Sequence, residues 1–213
     1  MALTCGLLLF LGIDALEESF EISNENLSSS INSPLLISTT TILSFLGLYY
    51  ASEKLTKKTG SLKISKPIAI GLMISIGIGL HNFGEGLAIG ASIGLGSIAF
   101  STFLIVGFAL HNTTEGLAIA APLSKEKAII SKLILFGLIA GIPAIFGSWV
   151  GGFAFSPLSA VIFLSVGAGA IFQVIAVILH WIKSEMSNNL TSGAVISGFA
   201  VGMLIMYFTS ILI

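Results

Sequence analysis

Residues 76–91 read "IGIGLHNFGEGLAIGA", and thirty residues further on, residues 106–121 read "VGFALHNTTEGLAIAA". The two stretches are identical at ten of sixteen positions, and the identities include a histidine, an asparagine and a glutamate. On an α-helix a spacing of four places side chains on one face. His81 and Glu85 therefore stack one turn apart, as do His111 and Glu115, and Gly77 and Gly107 continue those faces one turn earlier. Asn82 and Asn112 sit about 100° round the axis from the histidines and reach the same crevice where two such helices face each other.

The setting of this polar pair of motifs is apolar. Of 213 residues, 55% are hydrophobic and only 9% charged, with a mean hydropathy of +1.05. That balance exceeds what a soluble core of this size requires and marks an integral, multi-pass protein of the cell membrane. Residues 86–114 contain no Lys, Arg, Asp or Glu. A net charge of −1 with no basic block gives no reason to expect nucleic acid as a partner. The single Cys5 excludes an intramolecular disulfide and reads as a packing residue. The run "ALTCGLLLFLGI" after Met1 has no basic residue before it and leads into Asp14, Glu17 and Glu18 instead of a small-residue cleavage site, so it reads as a retained span.

Seven apolar runs approach the length of about twenty residues that a helix needs to cross the hydrocarbon layer. They cover residues 2–22, 34–52, 67–92, 97–122, 130–152, 157–182 and 193–213. The expectation is an all-α bundle of seven transmembrane helices in one polytopic domain over residues 1–213. The intervening "SNENLSSSINSP", "SEKLTKKTGSLKISKP", "GLGS", "PLSKEKA", "GGFAFSP" and "KSEMSNNLTSG" carry the Gly, Pro, Ser, Asn and charge of turns and loops. All nine basic residues are lysines, and Lys54, Lys57, Lys58, Lys63, Lys66, Lys125, Lys127, Lys132 and Lys183 fall in or beside the second, fourth and sixth of these breaks. By the positive-inside rule those breaks are cytoplasmic, with the amino terminus inside and the carboxyl terminus outside. Glycines recur inside the runs at small-xxx-small spacing, Gly86, Gly90 and Gly94, Gly147 with Gly151, and Gly198 with Gly202, which predicts close helix packing.

His81 and His111 lie near the middle of their runs, and the short "GLGS" link predicts antiparallel neighbours with both clusters near the bilayer midplane. An acidic residue there costs about 2.5–3.5 kcal/mol on insertion scales, so two glutamates need compensation. A His–Glu hydrogen bond across a helix pair is one solution, and a proton relay is another. Neither accounts for the duplicated asparagines. A divalent cation accounts for the whole set, because imidazole nitrogen, carboxylate and amide oxygen suit zinc, iron, manganese or cadmium. The absence of cysteine argues against a tight structural zinc site.

The doublet "HNFGEG" and "HNTTEG" on consecutive spans resembles the paired HN-x-P-E-G signature of the ZIP divalent metal-ion transporters, and "GLLLFLGIDALEE" and "GAGAIFQV" resemble other spans of that family's prokaryotic branch. The resemblance implies uptake of a divalent cation, zinc foremost, towards the cytoplasm through a mid-membrane centre made by His81, Asn82, Glu85, His111, Asn112 and Glu115. It implies eight helices, of which the first has no counterpart here. The metal is cargo, no cofactor or enzymatic activity is expected, and the expected partners are the cation, the lipid bilayer and a second copy in a homodimer. Gly84 and Thr114 stand where the family has proline, which weakens the expected helix break. Ile142 stands in "AGIPA" where many members carry glutamate, which favours one well-held ion over two.

Asp14 and Glu18 share a face on the outer half of the first run and form an expected acidic vestibule that concentrates cations, whereas Glu21 and Glu25 read as a solvated helix end. Gln173 offers an amide deep in the sixth run, equally suited to an ion pathway or an interhelical hydrogen bond. His180, beside Trp181, is a candidate ligand on the release side, and Ser75, Ser101 and Thr102 are assigned backbone or packing roles. Two other classes compete with transport. An intramembrane metalloenzyme lacks its usual spacing here, since neither His-Glu-x-x-His nor Glu-x-x-His occurs. A non-transporting membrane protein with a resident metal is separated from a transporter by flux.

Overall fold

The computed structural model describes residues 1–27, 32–62, 65–94, 96, 98–124, 129–154, 156–185 and 192–211. Within these, the side chains of residues 52, 55–62, 66, 99, 100, 103, 107, 110, 111, 114, 129, 181, 184, 185, 209 and 210 lie outside the description. The described residues are all-helical, with no strand. The helices are α1 (Ala2–Asn26), α2 (Ser33–Leu62), α3 (Lys66–Gly94), α4 (Ile98–Leu123), α5 (Ile129–Ala154), α6 (Pro157–Glu185) and α7 (Gly193–Ser210).

Each apolar run falls on one helix, and the breaks carry the local chemistry that ends and starts helices. Asn32 accepts a hydrogen bond from the Leu35 amide through Oδ1 at 3.1 Å and caps α2. Ser156 and Ser159 cap α6 reciprocally, each amide donating to the other's hydroxyl at 3.3 and 3.1 Å, with Pro157 between them at a helix start that needs no amide donor. Between α3 and α4, Gly96 takes φ +75°, a conformation open to glycine and strained for other residues. The one large boundary difference is α2, which runs to Leu62, about ten residues past the apolar run. Glu53, Lys54 and the lysines beyond are good helix formers, so the helix outlasts its hydrophobicity.

Two helices, α3 and α6, form the interior. Helix α5 packs on α3, α3 on α6, α6 on α1 and α1 on α7, while α2 lies against α6 and α4 against α3. Leu8 and Leu11 of α1, Ile74 and Ile78 of α3, and Ile171 and Ile178 of α6 fill the core. The α3–α5 contact is made backbone to backbone. A methyl placed on Gly86 or Gly90 would strike the carbonyl of Ala144 or Ser148, and one on Gly147 or Gly151 that of Phe83 or Leu87. Gly6 and Gly202 do the same for α1 and α7, against Phe199 and Leu3. The small-residue steps expected from the sequence therefore lie at helix crossings, where lipid-soluble helices gain from close approach.

The outward faces of this bundle are apolar. Phe153 is 91% exposed, Ile130 72% and Leu43 69%, and large aliphatic and aromatic side chains line the outside of α2, α4, α5 and α7. Continuous apolar surface on this scale is unfavourable in water. Among the described residues, four helices contain runs long and apolar enough to cross a membrane, Ser33–Ala51, Pro67–Gly94, Ile130–Ala154 and Pro157–His180, with a shorter apolar run at Gly193–Phe208. The chain is thus an all-α protein whose helices are compatible with a membrane location.

Candidate cation site

Helices α3 and α4 are antiparallel neighbours, as the short link requires. Ser92 and Ser101 share a hydrogen bond at 2.8 Å just beside the turn, and deeper in the pair Ile78 and Asn82 of α3 and Asn112 and Ile119 of α4 line one cavity. Both helices continue without interruption through Gly84 and Thr114. Neither motif helix has the break that a proline at those positions would bring. The proline instead stands on α5, where Pro143 has no amide to give the Ile139 carbonyl. That stretch of α5 lies against the first motif: Gly79 abuts the Ile139 carbonyl, and Asn82 Nδ2 donates to the Ala140 carbonyl at 3.2 Å.

The cavity has a volume of about 250 Å³. Asn82 of α3 and Asn112 and Glu115 of α4 supply its polar lining, and Gly137, Ala140, Gly141 and Ala144 of α5 form the opposite wall. Asn82 and Glu115 are 3% and 4% exposed. With Nδ2 of Asn82 committed to α5, its Oδ1 is buried and has no hydrogen-bond partner among the described residues, and the same holds for Asn112 Oδ1. Each copy of the motif thus contributes an amide oxygen, and the second copy a carboxylate, to one chamber.

His81 and Glu85 are buried on the neighbouring face of α3 and do not line that chamber. They pair with each other, Nε2 to Oε1 at 3.1 Å. The step of about 100° between residues 81 and 82 is what separates them: Asn82 turns to α5, whereas the backbone at His81 lies 3.0 Å from where a Cβ on Gly167 of α6 would sit. Glu18 on α1 lies close enough for its charge to act on Asp14, His81 and Glu85, so the acidic face of α1 approaches the histidine side of the motif. Asp14 is exposed and Glu18 half-buried, and Glu21 and Glu25 are exposed. The side chain of His111 lies outside the described residues, as do Lys57, Lys58, Lys63, Lys125 and Lys127. Among the described residues, no three His, Cys, Asp or Glu side chains come close enough together to hold a metal ion.

Gln173 is fully buried in α6 and lines neither this chamber nor the second cavity described next. His180 is exposed and lines that second cavity, of about 370 Å³, between α2, α3 and α6, together with Tyr49, Glu53 and Met73. Glu53 escaped sequence reasoning because it sits where α2 runs on past its apolar stretch, and Tyr49 because it lies within that stretch among other apolar residues. Ile142 is 41% exposed on the outer side of α5 and is absent from the chamber wall. Ser75 and Thr102 bond back to the carbonyls of Gly71 and Ile98, at 2.8 and 2.9 Å. With Ser101 joined to Ser92, all three hydroxyls serve the backbone or helix packing. No family profile, no curated protein and no solved structure matches the chain.

Proposed function

We propose that this chain is a seven-span membrane transporter of the ZIP type, which passes a divalent cation towards the cytoplasm between the two motif helices. One observation carries the reading: Asn82, Asn112 and Glu115, drawn from both copies of a repeated motif, line one cavity. Repetition of a motif gives no such convergence unless the two helices pair antiparallel in this register. The buried amide oxygens of Asn82 and Asn112, which have no hydrogen-bond partner among the described residues, support a positive occupant, because unsatisfied acceptors in an apolar protein are costly. The His81–Glu85 pair and the acidic face of α1 flank it and form the outer side of the pathway. The alternation of lysine-bearing breaks sets the direction, with α2–α3, α4–α5 and α6–α7 connections inside.

The reaction is translocation, without bond making or breaking. The residues substitute for part of the ion's hydration shell at mid-depth and release it when the chamber exchanges its exposure. Uptake of zinc, cadmium or manganese into proteoliposomes tests this with Glu85→Ala and Glu115→Ala. Both substitutions are expected to lower uptake at least tenfold, the scale of losing one charge-assisted contact. Full flux through either variant, or a bound metal with hydrolytic activity and no flux, rules the assignment out.

A further inference from the structure

We propose that the face of α2 carrying Tyr50 and Lys54 binds the phosphodiester headgroup of an anionic phospholipid where this helix leaves the bilayer. The inference goes beyond the transport reading and stands whether or not a cation crosses. It begins from the register of α2. Positions 43, 46, 50, 54, 57 and 58 follow one another at helical steps and form one stripe. Leu43, Leu46 and Tyr50 are each more than half exposed, and Lys54 is exposed. The described part of this face thus lies outside the bundle, apolar up to Tyr50 and basic at Lys54. Lys57 and Lys58 continue it by register.

A contact fixes the depth of this stripe. Lys54 Nζ lies 4.5 Å from the centroid of the Tyr50 ring, and Tyr50 stands at the end of the apolar run Ser33–Ala51. A tyrosine in that place marks the membrane–water interface. A rise of about 1.5 Å per residue sets the Lys54 backbone about 6 Å further out, within a headgroup layer about 5–7 Å thick. A phosphate oxygen can then meet the ammonium from the side away from the ring. The signs of charge are also sorted. Between residues 53 and 66 there are five lysines and one acid, Glu53. Glu53 lies about 100° round the axis from Lys54 and, with Tyr49, lines the cavity between α2, α3 and α6. The acid is turned away from the stripe, so nothing on the stripe's register repels a phosphate. Helix α2 continues to Leu62, which keeps the basic positions on one face over about 18 Å beyond Tyr50. Leu43 and Leu46 decide between a lipid and a soluble phosphate: they give acyl chains an apolar track directly below the charges, which a soluble anion would leave unused.

The test uses the full chain purified in detergent and measures retained lipid by native mass spectrometry, with dioleoyl phosphatidylglycerol and dioleoyl phosphatidylcholine as probes of equal chain length. Phosphatidylglycerol is expected to bind roughly tenfold more tightly. A lysine at an anionic membrane surface is worth about fivefold in affinity, so Lys54→Gln/Lys57→Gln/Lys58→Gln should lose about a hundredfold. Lys125→Gln/Lys127→Gln, on another connection, should leave binding within about twofold. Should the triple variant not fold, Lys54→Arg keeps a cation over the ring and should retain phosphatidylglycerol, whereas Lys54→Glu should lose it; equal binding by these two overturns the assignment. Equal affinity of the wild-type chain for the two lipids overturns headgroup recognition. An equal loss from the Lys125/Lys127 variant overturns the placing on α2 in favour of a diffuse basic surface. Displacement of phosphatidylglycerol by millimolar sn-glycerol 3-phosphate overturns the lipid in favour of a soluble phosphate.

Discussion

Gly90 offers the sharpest test of the helix packing that holds the chamber. A methyl at this position would land on the Ser148 carbonyl oxygen, 2.6 Å from the Gly152 amide nitrogen and 2.8 Å from the Ser148 carbonyl carbon. All three atoms are backbone, so no side chain can rotate away and α3 and α5 must separate. Overpacking of this kind costs about 1–3 kcal/mol, and an immovable neighbour places Gly90→Ala at the upper end. Against this stands the gain of about 1 kcal/mol when alanine replaces glycine within a helix. The net loss is about 2 kcal/mol, which for a chain of this length corresponds to a fall in Tm of about 4–8 °C. Gly47 on α2 is the internal control, since a Cβ there meets nothing within 4 Å. Gly47→Ala collects the helix gain alone and should raise Tm by about 2–4 °C. Thermal unfolding in detergent, followed by size-exclusion chromatography of the heated samples, measures both. Equal midpoints for the two variants would refute the interlocked α3–α5 contact.

Other consequences follow from different parts of the bundle. Ser19 bonds the Val161 carbonyl and the Ser165 hydroxyl at 3.2 and 3.0 Å in a fully buried contact between α1 and α6. Ser19→Ala should cost about 1 kcal/mol, and the Ser19→Ala/Ser165→Ala double variant less than the sum, because the two share one network; thermal midpoints of the three variants check this. For orientation, in a Cys5→Ala background, Glu25→Cys should react with a membrane-impermeant maleimide applied outside and Lys183→Cys only after permeabilisation; the opposite pattern inverts the assigned topology. Protons compete with the cation for the carboxylates, so lowering the pH from about 7.5 to about 5.5 on both sides should reduce uptake several-fold. Uptake that rises on acidification contradicts cation binding by Glu115.

The helices were legible because long apolar runs announce themselves by length and hydropathy, and "GLGS", "GGFAFSP" and the serine-rich breaks end them with recognisable turn chemistry. Helix α2 was misjudged only at its carboxyl end, where helix propensity continued after hydropathy stopped. The antiparallel pairing of α3 and α4 followed from the brevity of their link. What periodicity left undetermined was the third helix. Nothing in the spacing of His81, Asn82 and Glu85 specifies that α5 covers the asparagine side and α6 the histidine side, because that depends on which backbones approach closest. The glycines at 79, 86, 90, 147 and 151 carried the missing information, but a small-residue step names a close contact without naming its partner. For the same reason nothing in the spacing foretells that, in the first motif, a single residue step divides the Asn82 amide from the His81–Glu85 pair.

The turn centred on Gly96 has a consequence beyond joining two helices. It is the spacer that meters one copy of the motif against the other. Inserting a single residue there would carry α4 along by about 1.5 Å and around by about 100°, which is enough to swing Asn112 and Glu115 out of the chamber while leaving every residue of both motifs intact. The length of a three-residue link is therefore as much a part of what builds the chamber as the side chains themselves.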